Sequence, residues 1–446
     1  MYKYLLFIGL LFIFTACSQT AEQVVVENTP TPVPPTAMPL PATAVPGELV
    51  VNASISRGPI SPLVYGVNYG PWSAVPVNAL EDFKESGMTL LRFPGGNWGD
   101  DDFVRPNHVN MLKIMTDMID GKITVSVNLR EGTPEQAVEL MKIVEEAGLD
   151  VVYWSIGNEP NLFAAKINNG HWDTVYYNQR WREFAEAMKA HDPSIKLVGP
   201  NLNQYSANDA NNVKDAEGRD WMREFLRANG DLVDNVSFHR YPFGGSPTLE
   251  EVRATSPEWD AIIPHLRDVI REETGRDIPV SVMEVNTNWS HAVGGEATPD
   301  SFYNAIWWAD SLGRLINQDV EAVAFFTLAH NDGTTLLARE GARPTFYVYK
   351  LFQQFGQEKL HADSGLEMVS IFAARRTDGA LTLMVVNRGD EDVTMPLRLE
   401  GGENVGETAV LHRFDAEHQA ENLGEVSIEE LTLPAQSISL YTLPSS

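Results

Sequence analysis

Residues 123–160 run ITVSVNLREGTPEQAVELMKIVEEAGLDVVYWSIGNEP. Ile123–Leu129 and Val151–Gly157 are short runs of β-branched and aromatic residues, the composition of buried strands. Between them, Ala137, Leu140, Met141, Val144 and Ala147 recur at spacings of three and four, which puts them on one stripe of a helix. The ends of that helix are marked. Thr133 stands at the N-cap with Pro134 at the first helical position, and Gln136 completes a capping box. Gly148 ends the helix.

The same alternation extends in both directions. Strands are predicted at Val64–Tyr69, Leu90–Pro94, Ile123–Leu129, Val151–Gly157, Lys196–Pro200, Val233–Tyr241, Pro279–Val285 and Ala322–Leu328. Helices are predicted at 75–86, 107–119, 134–147, 177–190, 219–229, 257–274, 299–317 and 344–355, with Gly275 closing the sixth. Eight strand–helix units over about 290 residues predict a (β/α)8 TIM barrel at 61–356. An open doubly wound sheet is the competitor. It is disfavoured because the count closes at eight and no glycine-rich phosphate loop follows the first strand. Gly95-Gly96 after the second strand is too little to supply one.

After Gly356 the pattern changes to short strands, Leu381–Val386, Val393–Leu399, Thr408–His412 and Ile438–Leu443, with turn residues between them. These predict a small C-terminal β-sandwich. Glu48–Ile55 alternates in the same way, so the second domain is expected to comprise 49–60 plus 357–446.

The start of the chain differs from both. Residues 1–16 have Lys3, an apolar run from Tyr4 to Phe14, and Thr15-Ala16 before Cys17. This is the layout of a secretory signal, and the run is shorter than the roughly 20 residues of a membrane span. Phe14-Thr15-Ala16-Cys17 resembles a bacterial lipobox, which implies a lipid on Cys17 and a protein anchored at the cell surface or the outer face of a membrane. Residues 17–48 carry Thr29-Pro30-Thr31-Pro32 and Pro34-Pro35, an extended composition expected to act as a tether.

Composition narrows the function. The chain has 446 residues, a single Cys, and 33 Lys+Arg against 61 Asp+Glu, a formal charge of −28. One Cys excludes a disulfide scaffold and a multi-cysteine zinc site. So negative a chain is unsuited to nucleic acid, whose phosphates are bound by clustered Lys and Arg. The acidity is expected to be a solubilising surface.

In a (β/α)8 barrel the reactive groups belong at the C-terminal ends of the strands. Those positions hold Asn68, Arg92, Asn128, Asn158-Glu159, Asn201, His239 and Tyr241, Glu284 with Asn286, and His330. The two carboxylates end strands four and seven, on opposite sides of the mouth. Paired carboxylates flanking a sugar serve retaining glycoside hydrolysis: one attacks the anomeric carbon, the other protonates the leaving oxygen and later activates water. The nucleophile must stay ionised beside a cation and hydrogen-bond donors. The acid must hold its proton.

Trp154-Ser155-Ile156-Gly157-Asn158-Glu159-Pro160 resembles the Asn-Glu-Pro acid/base motif of glycoside hydrolase clan A. Val282-Met283-Glu284-Val285-Asn286 resembles that clan's nucleophile strand. The resemblance spans the barrel. It implies Glu159 as acid/base, Glu284 as nucleophile, Asn158 binding the hydroxyl next to the anomeric carbon, and Arg92 and Tyr241 holding the nucleophile's pKa low. Ile60–Gly66 and Leu91-Arg92-Phe93-Pro94-Gly95-Gly96-Asn97 are similar to arabinofuranosidases of family 51, xylosidases of family 39, endoglucanases of family 44 and glucuronidases of family 79. Many clan members carry Trp at the end of strand eight, where this chain has Thr327-Leu328-Ala329-His330.

The expectation is a hydrolase of hemicellulose-like polysaccharides or oligosaccharides, its sugar open among arabinofuranoside, xyloside, glucan and glucuronide. A noncatalytic glycan-binding lipoprotein and a transglycosylase are the rivals. Asn68, Asn97, Asn286 and His239 join the expected substrate-binding set. Trp98, Trp172 and Trp289 fall in loops at the mouth as candidate sugar platforms, whereas Trp307-Trp308 are expected in the core. Asp100-Asp101-Asp102 offer no metal-ligand spacing and are expected in a solvated loop. The mechanism needs no metal or other cofactor. The expected partners are a carbohydrate and, through the lipid alone, a membrane.

Overall fold

The computed structural model describes residues 43–167, 171–290, 292–402 and 406–445. The signal segment, Cys17 and most of the tether lie outside them. No helix among the described residues is long and apolar enough to cross a membrane. Residues 43–48, expected to end the tether, are instead fastened to the C-terminal sheet. The Gly47 N–H donates to Gly365 O at 3.1 Å, the Gly365 N–H donates to Glu48 O at 2.9 Å, and Arg398 pairs with Glu48 at 2.7 Å.

The chain enters through strand β1 (Leu49–Pro59) and then forms the barrel. Its strands are β2 (Gly66–Asn68), β3 (Leu90–Phe93), β4 (Lys122–Val127), β5 (Val151–Ile156), β6 (Leu197–Leu202), β7 (Asn235–Arg240), β8 (Val280–Val285) and β9 (Ala322–Phe325). They pair in parallel in chain order, and β9 closes on β2. The strands are almost wholly buried, as parallel strands covered by helices must be. The capping box at Thr133 is formed: the Gln136 N–H donates to Thr133 Oγ1 at 3.3 Å and the Thr133 N–H to Gln136 Oε1 at 2.9 Å. Gly148 and Gly275 adopt the left-handed conformation that ends their helices.

Each expected helix is present, the first as a 3-10 turn at Val77–Ala79 leading into Leu80–Lys84. Extra short helices occupy the loops at the C-terminal mouth, at Trp98–Asp101, Pro160–Lys166 and Leu249–Thr255. Between β7 and β8 the register slips by one residue, so that Phe238 faces Val282 but His239 faces Glu284. Such bulges re-aim side chains beside active sites. Here the slip brings His239 level with Glu284.

A short hairpin, β10 (Leu337–Ala338) and β11 (Gly341–Ala342), follows the barrel. The second domain then adds β12 (Glu358–Ser364), β13 (Val369–Arg375), β14 (Leu381–Asn387), β15 (Val393–Glu400), β16 (Thr408–Phe414), β17 (Gln419–Ser427), β18 (Glu430–Leu433) and β19 (Ser437–Leu443). With β1 they form one nine-stranded sheet, ordered β17-β16-β19-β14-β13-β12-β1-β15-β18. A core including Val51, Leu383, Met395, Leu411 and Leu431 unites strands from both ends of that sheet.

Its other face packs on the barrel helix Phe302–Asn317. A Cβ on Gly313 of that helix would lie 2.3 Å from the Phe372 ring of β13, so the contact requires glycine. Trp307 and Trp308 of the same helix are buried.

Candidate active site

Glu159 and Glu284 stand at the barrel mouth, at the ends of β5 and β8. The β5 strand turns out through Gly157 (φ 80°) and Glu159 (φ 49°). A left-handed Glu is an uncommon backbone state that persists where the surroundings impose it. Here the Glu159 N–H is held by the Asn201 carbonyl at 3.0 Å, and Pro160 begins a 3-10 turn immediately after. The turn presents the Glu159 carboxylate to the barrel axis.

Glu284 is buried and richly solvated by protein. Oε1 accepts from Arg92 Nη1 at 2.6 Å and from the Gly96 N–H at 3.0 Å, and Oε2 accepts from the Tyr241 hydroxyl at 2.8 Å. Burial pushes its pKa up. The charges of His239 and Arg92, with hydrogen bonds from Tyr241 and Arg92, outweigh burial and hold the carboxyl below its ordinary value. Burial, aided by the Glu284 charge, drives the Tyr241 hydroxyl far above the usual phenol range, so it stays a donor.

Arg92, 1% exposed, also donates to Asn68 Oδ1 at 2.8 Å and Asn158 Oδ1 at 2.6 Å. His239 lies between the two carboxylates, its Nδ1 3.1 Å from Glu159 Oε1 and 3.6 Å from Glu284 Oε2. One ligand atom each from Glu159, His239 and Glu284 falls within 4.8 Å of the others. That spacing would admit a metal ion. However, the Glu284 charge is already met by Arg92, and His239 Nδ1 is hydrogen-bonded to Glu159, so the donor set fits two separately partnered carboxylates better.

A cavity of about 560 Å³ opens over the pair, walled by Asn97, Lys166, Tyr241, Trp289 and Phe326. Lys166 Nζ stands 3.7 Å from Glu159 Oε2 and donates to Asn97 Oδ1, which Asn158 Nδ2 also reaches at 3.1 Å. The sequence reading missed Lys166, which sits in a loop helix with no motif around it. It also missed the aromatic at the end of β9. Phe326 fills that place, with Trp72 stacked on it at 5.6 Å.

Several expected site residues engage their amides with the protein itself. Asn68 Nδ2 donates to the Met283, Ala324 and Phe325 carbonyls. Asn286 bonds the Phe326 carbonyl and the Thr287 N–H. Asn128 accepts from the Glu131 and Gly132 N–H groups, and the Asn201 side chain bonds Ser155 and Ser237. These amides therefore stitch strand ends together and are not turned to a ligand. The physical reason is that a buried strand end leaves backbone groups needing partners, which an amide can satisfy as both donor and acceptor.

Trp98 packs edge-on against His108 at 5.4 Å and does not wall the cavity. Trp172 is buried between Phe163 and Tyr176. Of the three platform candidates, Trp289 alone lines the cavity. His330 pairs with Asp332 and touches the edge of Trp72.

Asp100 corrects another expectation. It is 1% exposed rather than solvated, and accepts from the N–H groups of Leu129 (2.9 Å), Arg130 (3.2 Å) and Asn158 (2.7 Å). It thus ties the loops after β3, β4 and β5 together, the last of them at the residue preceding Glu159. Burial, only partly offset by these bonds, lifts its pKa to about 6.

No protein-family model matches the chain. Rat heparanase is 24% identical over 268 residues, 56% of this chain and 46% of the rat protein. Bovine heparanase is 26% identical over 184 residues, 39% of this chain and 30% of the bovine one. The chain thus spans less than half the length of these relatives. Among solved structures, a bifunctional glucanase-xylanase from a metagenome library aligns with TM-score 0.69 at 18% identity, over 90% of this chain and 100% of that one. The α-L-arabinofuranosidase of Thermotoga maritima gives TM-score 0.69 at 18% identity, over 89% and 99%. The family 44 endoglucanase of Clostridium thermocellum gives 0.67 at 14%, over 90% and 100%. At such identities these likenesses establish the fold: a (β/α)8 barrel with an appended β-domain.

Proposed function

We propose that the protein is a retaining O-glycoside hydrolase of the clan A type, acting on polysaccharide or oligosaccharide chains. One observation carries this reading: carboxylate oxygens of Glu159 and Glu284 approach within 4.8 Å beside one cavity. Retaining enzymes hold the two groups about 5–5.5 Å apart, whereas inverting ones need roughly 6.5–9.5 Å to seat a water between them.

In the first step the Glu284 carboxylate attacks the anomeric carbon as the glycosidic C–O bond breaks, and Glu159 gives its proton to the departing oxygen. In the second, Glu159 takes a proton from water. The water oxygen attacks the anomeric carbon and Glu284 leaves as carboxylate. Arg92, Tyr241 and the Gly96 N–H keep Glu284 ionised for attack, and Asn158, held by Arg92, is the proposed partner of the hydroxyl next to the anomeric carbon. The names of the relatives, a heparanase, a glucanase-xylanase and an arabinofuranosidase, support a carbohydrate chain as substrate. Export with a lipid on Cys17 belongs to the same proposal, resting on residues 1–17. Palmitate labelling of wild type but not of Cys17→Ala is its expected result.

Activity is tested on a panel of xylo-, arabino-, gluco- and glucurono-substrates. Turnover of at least one by wild type, reduced by several orders of magnitude in Glu284→Gln, is expected because a covalent step has no substitute. Glycan binding without turnover by wild type would overturn the assignment in favour of a binding protein.

A further inference from the structure

The catalytic cavity has a neighbour. A second cavity, of about 640 Å³, shares Gln204, Tyr241 and Trp289 with the first as a common wall. Trp289 is 58% exposed and, alone among the ten tryptophans, all of them described, stays largely in solvent. It is nonetheless firmly seated. Its main-chain N–H donates to the Phe243 carbonyl at 3.2 Å, and the neighbouring Asn288 Nδ2 donates to Gly245 O at 2.6 Å. A Cβ on Gly244 would fall 2.3 Å from Trp289 Nε1, so the indole rests directly on a bare stretch of backbone.

An indole so exposed forgoes much of the stabilisation that burying a large apolar side chain contributes. Packing of the protein itself does not account for it. An aromatic face at the junction of two cavities is suited to the apolar face of a sugar ring.

The chemistry of the second cavity agrees. Its charges, Arg240 and Glu258, pair with each other. Gln204 is held by its bond to the Tyr241 carbonyl at 2.6 Å. The wall is therefore electrically balanced and amide-bearing, suited to hydroxyl groups more than to a carboxylate or sulfate.

We infer that a second sugar unit of the same chain stacks on Trp289 and enters this cavity, recognised by its ring face and hydroxyls rather than by charge. The inference rests on the proposed function and extends it: the substrate is a chain of at least two units, and Trp289 sets that requirement.

The test measures binding to the full-length Glu284→Gln protein by calorimetry. Mono- to tetrasaccharides of whichever xylo-, arabino- or gluco-series the wild type hydrolyses serve as ligands. Affinity is expected to rise roughly tenfold once a second unit is present, to keep that rise at high salt, and to lose it in Trp289→Ala. Ala261→Trp, which narrows the second cavity from an exposed helix position and leaves Trp289 in place, should lose the same rise. An affinity independent of chain length, or a rise that survives Trp289→Ala, overturns the inference. A rise abolished by salt overturns recognition without charge. Absence of turnover across the whole panel is the separate failure of the proposed function.

Discussion

Arg92 and Glu284, both buried, meet at 2.6 Å across the barrel mouth, one from the second barrel strand and the other from the seventh. The pair is the electrostatic centre of the site, because the guanidinium also orients Asn158. Removing one partner of such a buried pair typically costs about 3–5 kcal/mol, since the other charge is left unmatched. Arg92→Leu is therefore expected to lower the thermal midpoint markedly and to reduce kcat/KM by several orders of magnitude.

The pH dependence follows from the same pair. The Glu284 pKa is lowered on folding, so its contribution to stability is present above the ordinary carboxyl value near 4.5 and is lost as pH falls through the lower folded value. Tyr241→Phe deletes one hydrogen bond to the ionised form. The acid limb of its kcat/KM profile should move to higher pH, with a loss of about 10- to 100-fold at the optimum. An unmoved limb would show that Glu284 is not the group titrating there.

Glu159 and Glu284 should separate by leaving group. Glu159→Ala is expected to retain cleavage of aryl glycosides whose phenol leaves without protonation and to lose cleavage of natural linkages. Glu284→Ala should lose both, because nothing replaces the nucleophile. Equal losses on both substrate types in the two variants would contradict the division of roles.

The (β/α)8 barrel was legible because each unit carries its own local signals, such as the stripe and capping box around 133–148. The two carboxylates were legible because strand ends define the mouth. What escaped depends on direction in space. Asn68, Asn128, Asn201 and Asn286 end strands as Asn158 does, but their amides bond strand-end and turn backbone, neighbouring hydroxyls or, for Asn68, also Arg92. Asp100 looks like one of three loop acids, yet a single turn of helix buries it under three N–H groups. Phe326 and Lys166 have no motif. Gln419–Ser427 was missed as a strand because, as an exposed edge, β17 lacks the apolar alternation that marks a half-buried one.

Asp100 yields a further expectation. Its folded pKa, about 6, lies above the ordinary 3.8, so its contribution to stability is full below about 3.8 and lost as pH rises through 6. Asp100→Asn cannot ionise and should flatten that part of the stability–pH curve, measured by urea midpoints. Its amide would turn a donor toward the Asn158 N–H, and kcat should fall about tenfold through displacement of the Glu159 turn. A curve of unchanged slope would refute the assignment.

Gly313→Ala runs against helix propensity. Ala in place of Gly inside a helix ordinarily stabilises by roughly 0.5–1 kcal/mol. Here the added methyl would meet the Phe372 ring at 2.3 Å, and overpacking of this kind costs about 1–3 kcal/mol. A lowered thermal midpoint is expected. A raised one would mean that the contact between barrel and β-domain yields easily.

The central claim, that Glu159 and Glu284 act as the acid/base and nucleophile of a retaining hydrolase, is tested most directly by the anomeric form of the first product. Proton NMR during the earliest turnovers should show the released sugar in the configuration of the substrate, with the other anomer growing only as mutarotation proceeds. Initial appearance of the inverted anomer would contradict it.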